Sequence, residues 1–364
     1  MRKILCVIGT RPEAIKMAPV IRALKKSRSL RPVVVTTGQH RTLLTKALQD
    51  VGIAPDYAFS VMVRNQTPAQ VISSILKKLP PLLLSLAPSA VVVQGDTATI
   101  CGAALAAFSS HVPVAHVEAG LRTRDLKQPW PEEAMRQLAD RICTWHFAPT
   151  AVSRENLLAE GINQDSIYIT GNTIVDQMFS MLPKLQTPEE VLERLRVTSK
   201  KYLLVTGHRR ENHGKNFHDV ARALKTIAQN HPDYTLIYPV HPNPNVRGPM
   251  KRDLGNVNGI RLIRPLPYSD FLALLTGCEF VISDSGGVQE EASVAGKRVV
   301  LLRDVTERPE GVQAGMTIPV GCDYEKIIDS VENLIKNGGV WTGGSLYGDG
   351  HAGENIVKIL ERTL

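Results

Sequence analysis

Three kinds of side chain recur immediately after short apolar runs of this chain, and each could do chemistry. "FVISDSGGVQEEA" (residues 280–292) places Ser285, Gly286 and Gly287 at a strand-to-helix corner. Glycines there leave the unpaired N–H groups of the first helical turn open to an anion at the positive end of the helix dipole, a seat suited to phosphate. An ordinary tight turn with Ser285 as N-cap reads the same way locally. Glu290 and Glu291 are odd neighbours for phosphate, unless one of them faces hydroxyl donors such as those of a ribose.

Carboxylates and cations form the other two kinds. Asp96 follows "AVVVQG", Glu118 follows "VPVAHV", and Glu132 opens a helical pattern after Pro129 and Pro131. Asp96 also suits a helix N-cap and Glu132 a helix dipole, whereas Glu118 sits between buried-looking residues, where a charge needs a partner. Arg11 and Lys16 follow "ILCVI", His208 and Arg209 follow "YLLVTG", and His241 follows "LIYPV". His208 and His213 lack the H-E-x-x-H spacing and have no cysteine pair nearby, so no metal site is expected.

These residues need elements to carry them. Runs rich in Val and Ile alternate with amphipathic helical patterns: "ILCVI", "PVVVTT", "AVVVQ", "VPVAHV", "SIYIT", then "YLLVT", "YTLIYPV", "IRLIRPL", "EFVISD" and "RVVLL". Continuous apolar strands between helices mean parallel sheets covered on both faces, and ligands bind outside the carboxyl ends of such strands. The alternation breaks at the polar, Pro-punctuated "LPKLQTPEEVLERL" and resumes at Tyr202. The expectation is an α/β chain of two Rossmann-like domains facing a cleft, spanning residues 1–172 and 173–349, with the amphipathic segment 350–364 packing back on the first.

At 364 residues, two domains are the default. Hydrophobic content of 43% with 21% charged residues is ordinary for a globular chain. The net charge of +8 comes without basic runs interleaved with aromatics, and aromatics are only 5% of the chain, which argues against nucleic acid and for an anionic small ligand. "MRK" precedes only five apolar residues, Ile4 to Ile8, and proline interrupts "PPLLLSLAPSAVVV", so neither a signal peptide nor a membrane span is expected and the cytoplasm is the expected compartment. Five scattered cysteines without a CxxC pair read as reduced core thiols.

Taken together, "GTRPEAIKMAPV", "TGQHR", "QGDTAT", "HVEAGLRT", "PWPEEA", "TGNT", "TGHRREN", "YPVHPN", "DSGGVQEEA" and "RDVTERPEGVQAG" closely resemble the non-hydrolysing UDP-N-acetylglucosamine 2-epimerases, in order from residue 3 to about residue 350. The resemblance implies a glycosyltransferase-B-like fold and interconversion of UDP-GlcNAc and UDP-ManNAc without metal or other cofactor, in a homodimer. Loss of UDP would make C1 oxocarbenium-like and acidify the C2 proton; a carboxylate could then take it to give 2-acetamidoglucal, and reprotonation from the other face followed by UDP re-addition would invert C2. By resemblance Asp96, Glu118, Glu132 and His208 belong to the catalytic set. Arg11, Lys16 and Arg308 would oppose the diphosphate with Ser285, Gly286 and Gly287, while Glu291 would accept from the ribose and Phe271 would lie near the uracil. Gln39, Gln66, Glu132, Arg209 and His241 match positions implicated in holding a second UDP-GlcNAc as effector.

The pattern departs from the family where Met135 replaces the asparagine of "PEExNR", removing a hydrogen-bonding amide beside the glutamates. Alternatives open to this sequence are a hydrolysing epimerase releasing UDP and ManNAc, an epimerase of a related UDP-acetamido sugar, a glycosyltransferase of the same architecture, and a non-catalytic sensor of nucleotide sugars.

Overall fold

Apolar runs become strands in two wholly parallel sheets, seen in a computed structural model that describes residues 1–38, 41–61, 66–199, 201–207, 209 and 214–364. Gln39 and His208 lie outside the described residues. The first sheet contains β1 (Arg2–Ile8), β2 (Leu30–Thr36), β3 (Tyr57–Ala58), β4 (Ala90–Gln94), β5 (Val114–Val117), β6 (Trp145–Ala148) and β7 (Ile167–Ile169), in the order β3-β2-β1-β4-β5-β6-β7. The second contains β8 (Tyr202–Thr206), β9 (Thr235–Pro239), β10 (Ile260–Ile263), β11 (Val281–Ser283), β12 (Val299–Leu301) and β13 (Thr317–Pro319), ordered β10-β9-β8-β11-β12-β13. Both wind outward in two directions from their first strand, so each has a switch point, between β1 and β4 and between β8 and β11.

Helices fill the crossovers. In the first half they are α1 (Arg11–Lys26), α2 (Arg41–Asp50), α3 (Pro68–Leu86), α4 (Ala98–Ser109), α5 (Glu132–Ile142), α6 (Ala151–Ala159) and α7 (Thr173–Met181). The second half has α8 (Pro188–Arg194), α9 (Lys215–Asn230), α10 (Pro244–Leu254), α11 (Tyr268–Gly277), α12 (Gly286–Val294), α13 (Pro309–Gln313) and α14 (Tyr324–Asn337), before the final α15 (Ala352–Thr363). Among the described residues, no helix is long and apolar enough to cross a membrane.

Contacts divide the chain into Met1–Phe179 with Tyr347–Leu364, and Ser180–Leu346. Within the first unit α15 packs on α1. His351, the N-cap of α15, gives that helix no side-chain cap. Asp176 of α7 supplies the acceptors instead, taking the N–H groups of Ala352 and Gly353 at 3.2 and 2.7 Å. It thus anchors the returning helix, with its carboxyl raised above the usual range by burial. The polar break forms a 3-10 turn at Leu182–Lys184 and then α8, which packs on α11 in the second unit.

All ten Val- and Ile-rich runs lie on strands, while β3, β6 and β13 carry no such signal. β3 is two residues long, β13 three ending in proline, and β6 reads "WHFA", whose buried Trp145, His146 and Phe147 lack the β-branched pattern.

Candidate functional site

The polar rim of the first sheet is built around its switch point. Thr10 caps α1, and Glu13 accepts from the N–H groups of Gly9 and Thr10 at 2.5 and 3.3 Å and from the hydroxyls of Thr10 and Thr97 at 2.9 and 2.8 Å. The corner after β1 is thereby tied to the corner after β4. Burial raises the Glu13 carboxyl to about 6, against the opposing pull of these four donors.

Glu118 follows β5 and is buried, with φ at +68°, a left-handed conformation costly for a residue with a Cβ. Its N–H and that of Ala119 both reach the Phe147 carbonyl, at 3.0 and 3.1 Å. The side chain has the partner its burial demanded: Lys16 Nζ lies 2.5 Å from Oε1, Asn172 Nδ2 donates to the same oxygen at 3.0 Å, and Gln94 donates to Oε2. Asp96, by contrast, keeps 30% of its side chain exposed and pairs with Arg136 of α5.

Glu132 is the first residue of α5 and half-buried, as is Arg11 at the start of α1. The adjacent Glu133 is fully buried and accepts from the Thr123 and Arg124 N–H groups at 3.1 and 3.2 Å, holding the loop before α5. Gln66 is half-buried just before the N-cap of α3. Lys16 and Glu118 are thus in direct contact, and Arg136 links Asp96 to the helix that Glu132 begins.

In the second unit, β11 runs into Asp284 and Ser285, and α12 opens at Gly286. Ser285 caps α12 without a side-chain bond, and its N–H donates to Ser283 Oγ at 3.0 Å. A Cβ on Gly286 would overlap Arg308 Nη1, so this glycine makes room for a guanidinium; a Cβ on Gly287 would meet only open space. Arg308 is buried, its Nε 2.6 Å from Glu290 and its Nη1 2.7 Å from Glu307, which also receives Arg303 at 2.9 Å. The acidic pair therefore divides: Glu290 holds Arg308, while Glu291 accepts from the Tyr268 hydroxyl at 2.8 Å. Phe271 is half-buried one turn further along α11.

Arg209 donates its N–H to Asp284 at 2.8 Å and brings its guanidinium 4.0 Å from Glu307. His241 is exposed beyond β9, its Nδ1 accepting the Asn243 N–H at 3.2 Å. Sequence reasoning missed Gln94, Arg136, Asn172, Tyr268, Glu290 as a clamp, and Glu307. Gln94, Asn172, Glu290 and Glu307 lay inside "QGDTAT", "TGNT", "DSGGVQEEA" and "RDVTERPEGVQAG", but nothing local said what they would touch.

Two doubly wound sheets whose carboxyl-end rims carry paired charges define an α/β protein of two Rossmann-like domains. A family model described as UDP-N-acetylglucosamine 2-epimerase matches residues 22–361. The UDP-N-acetylglucosamine 2-epimerase of Escherichia coli (strain K12) is 43% identical over 371 residues, covering 99% of this chain and 99% of that protein. The crystal structure of UDP-GlcNAc 2-epimerase from Neisseria meningitidis bound to UDP-GlcNAc matches with a TM-score of 0.95 at 40% identity, over 99% of this chain and 100% of that one. The Methanocaldococcus jannaschii UDP-GlcNAc 2-epimerase in complex with UDP-GlcNAc and UDP matches with a TM-score of 0.90 at 35% identity, over 99% of each chain. The chain belongs to the UDP-N-acetylglucosamine 2-epimerase family.

Proposed function

We propose that this protein interconverts UDP-GlcNAc and UDP-ManNAc without net hydrolysis, supplying ManNAc-type sugars for cell-surface polysaccharide. The C1–O bond breaks with UDP leaving, a carboxylate takes the C2 proton to give 2-acetamidoglucal, and the proton returns to the opposite face before UDP adds back. Asp96, Glu118 and Glu132 do the acid and base work, with His208 among them. Arg11, Lys16, Arg308 and the Ser285–Gly287 corner hold the diphosphate, Glu291 the ribose and Phe271 the uracil; no metal or other cofactor enters. A homodimer, a cytoplasmic setting and a second UDP-GlcNAc at Gln39, Gln66, Arg209 and His241 belong to the same reading.

The observation that carries it is the pair of carboxylates at the ends of neighbouring strands β4 and β5, each set against a fixed cation, Asp96 on Arg136 and Glu118 on Lys16. Anchored acids of unlike exposure suit proton transfer better than a passive binding seat. The N. meningitidis relative, solved bound to UDP-GlcNAc, supports the choice of substrate.

The test is incubation with UDP-GlcNAc in D2O, followed by NMR. Deuterium at C2 together with a UDP-ManNAc signal is expected. An unchanged, unlabelled sugar would refute the proposal, and accumulation of free UDP and ManNAc would replace it with the hydrolysing reading.

A further inference from the structure

We infer that His116 is a positioning residue for Asp96: a fixed imidazolium on β5 that clamps the Gly95 carbonyl and so sets where the Asp96 carboxylate points. The inference rests on the acid/base role given to Asp96 above.

Both nitrogens of the buried His116 ring face oxygens. Nδ1 is 2.5 Å from Asp140 Oδ1 and Nε2 is 2.7 Å from the Gly95 carbonyl. A carbonyl can only accept, so Nε2 carries a proton; a neutral ring would then turn a bare lone pair toward Asp140. Asp140 is held as an anion by Arg122, whose Nη2 lies 2.6 Å from Oδ2, and Nδ1 must therefore donate as well.

Charge balance leads to the same state. Arg122 also binds Glu160, through Nε at 2.7 Å and Nη2 at 2.9 Å. With a neutral ring, the one guanidinium of Arg122 would serve both the buried Asp140 and the partly exposed Glu160; a charged His116 gives Asp140 a cation of its own in the core. Other titratable groups nearby are His146 on β6, in register with His116, and Cys143 after α5. His146 Nε2 meets the Asp140 backbone carbonyl at 2.7 Å, and burial lowers its pKa. Burial also opposes charge on His116, but Asp140 and the Gly95 carbonyl outweigh it and the pKa rises.

The clamp acts where the chain leaves β4. Gly95 still donates its N–H to the Val117 carbonyl at 3.2 Å, but turns with φ at +86°, sending its own carbonyl to His116. The next residue is Asp96, whose carboxylate meets Arg136. Arg136 and Asp140 are four apart on α5 and share a face. One face of α5 thus grips the acid twice, directly through Arg136 and through the backbone before it by way of Asp140 and His116.

The test compares the intact protein with His116→Gln, using UDP-GlcNAc in both. A misplaced acid predicts kcat and C2 deuteration about 10- to 100-fold lower, with KM within about threefold, in a variant that still unfolds cooperatively. Side-chain nitrogen NMR of the intact protein should show both His116 nitrogens still protonated at a pH where an ordinary histidine has lost its proton. Unchanged kcat in the folded variant, or a neutral His116 tautomer, would overturn the inference. Should His116→Gln not fold, Asp140→Asn takes its place, with the same split in kcat and KM expected. No turnover by the intact protein overturns the epimerase reading itself, a result distinct from equal turnover by both proteins.

Discussion

Lys16 and Glu118 stand 102 positions apart in the chain, yet the ammonium lies 2.5 Å from the carboxylate with both side chains nearly excluded from solvent. Lys16, picked from the sequence as a cation for the diphosphate, is therefore also the counter-charge of a proposed acid/base. Glu118→Gln removes the carboxylate charge 2.5 Å from a buried ammonium, and a stability loss of about 3 kcal/mol is expected. C2 deuteration should fall by at least ~100-fold. Adding Lys16→Met should restore part of the stability, read by urea denaturation, and none of the turnover; a double variant that regained turnover would refute the assignment.

Gly286 and Arg308 define a second coupled pair. Gly286→Ala must displace the guanidinium, because the new Cβ would overlap Nη1. Arg308→Lys cannot span Glu290 and Glu307 with a forked donor set. Each change is expected to weaken UDP binding about tenfold, or ~1.4 kcal/mol. The double variant should be little worse than either single one, since both act on one group. Calorimetric titration with UDP decides it, and fully additive losses would mean that Gly286 acts independently of Arg308.

Gly120 is a folding constraint beside the site. It sits at φ +86°, and a Cβ there would overlap the Ser153 carbonyl oxygen and stand 2.9 Å from Leu157 Cγ. Gly120→Ala combines left-handed strain with a backbone clash, and about 3 kcal/mol of destabilisation is expected. Thermal unfolding measures it; an unshifted midpoint would contradict the packing at α6.

Glu13 predicts a pH dependence. Its folded-state pKa of about 6 lies above the ordinary 4.5, so the folded protein retains a proton that the unfolded chain has begun to release. Its contribution is fully present below pH 4.5 and is lost as pH rises through about 6, amounting to ~2 kcal/mol in all. Subtracting the stability curve of Glu13→Gln from that of the unchanged protein should reveal this fall between about pH 4.5 and pH 7. A flat difference would show that the four donors on Glu13 compensate its burial.

How much was legible in the chain follows from what is local. The ten Val- and Ile-rich runs announce strands because a buried parallel strand is apolar on both faces, and the residues just after them mark the rims. β6 escaped notice because "WHFA" buries aromatic and imidazole rings, and that choice makes sense only once His146 is seen beside His116. The break expected at "LPKLQTPEEVLERL" hid a helix, α8, whose stability comes from packing on α11 rather than from its own short sequence.

By itself the sequence determined the α/β class, the alternation of strand and helix, and which charged residues end up at strand ends, since these depend on periodicity and on chain neighbours. Only the tertiary structure decided the partnerships: Lys16 with Glu118, Arg136 with Asp96, Glu290 with Arg308, and His116 between Asp140 and Gly95. A buried charge must find an opposite charge or a donor, and which one it finds is set by strand order and helix packing, which bring together residues that lie far apart in the chain.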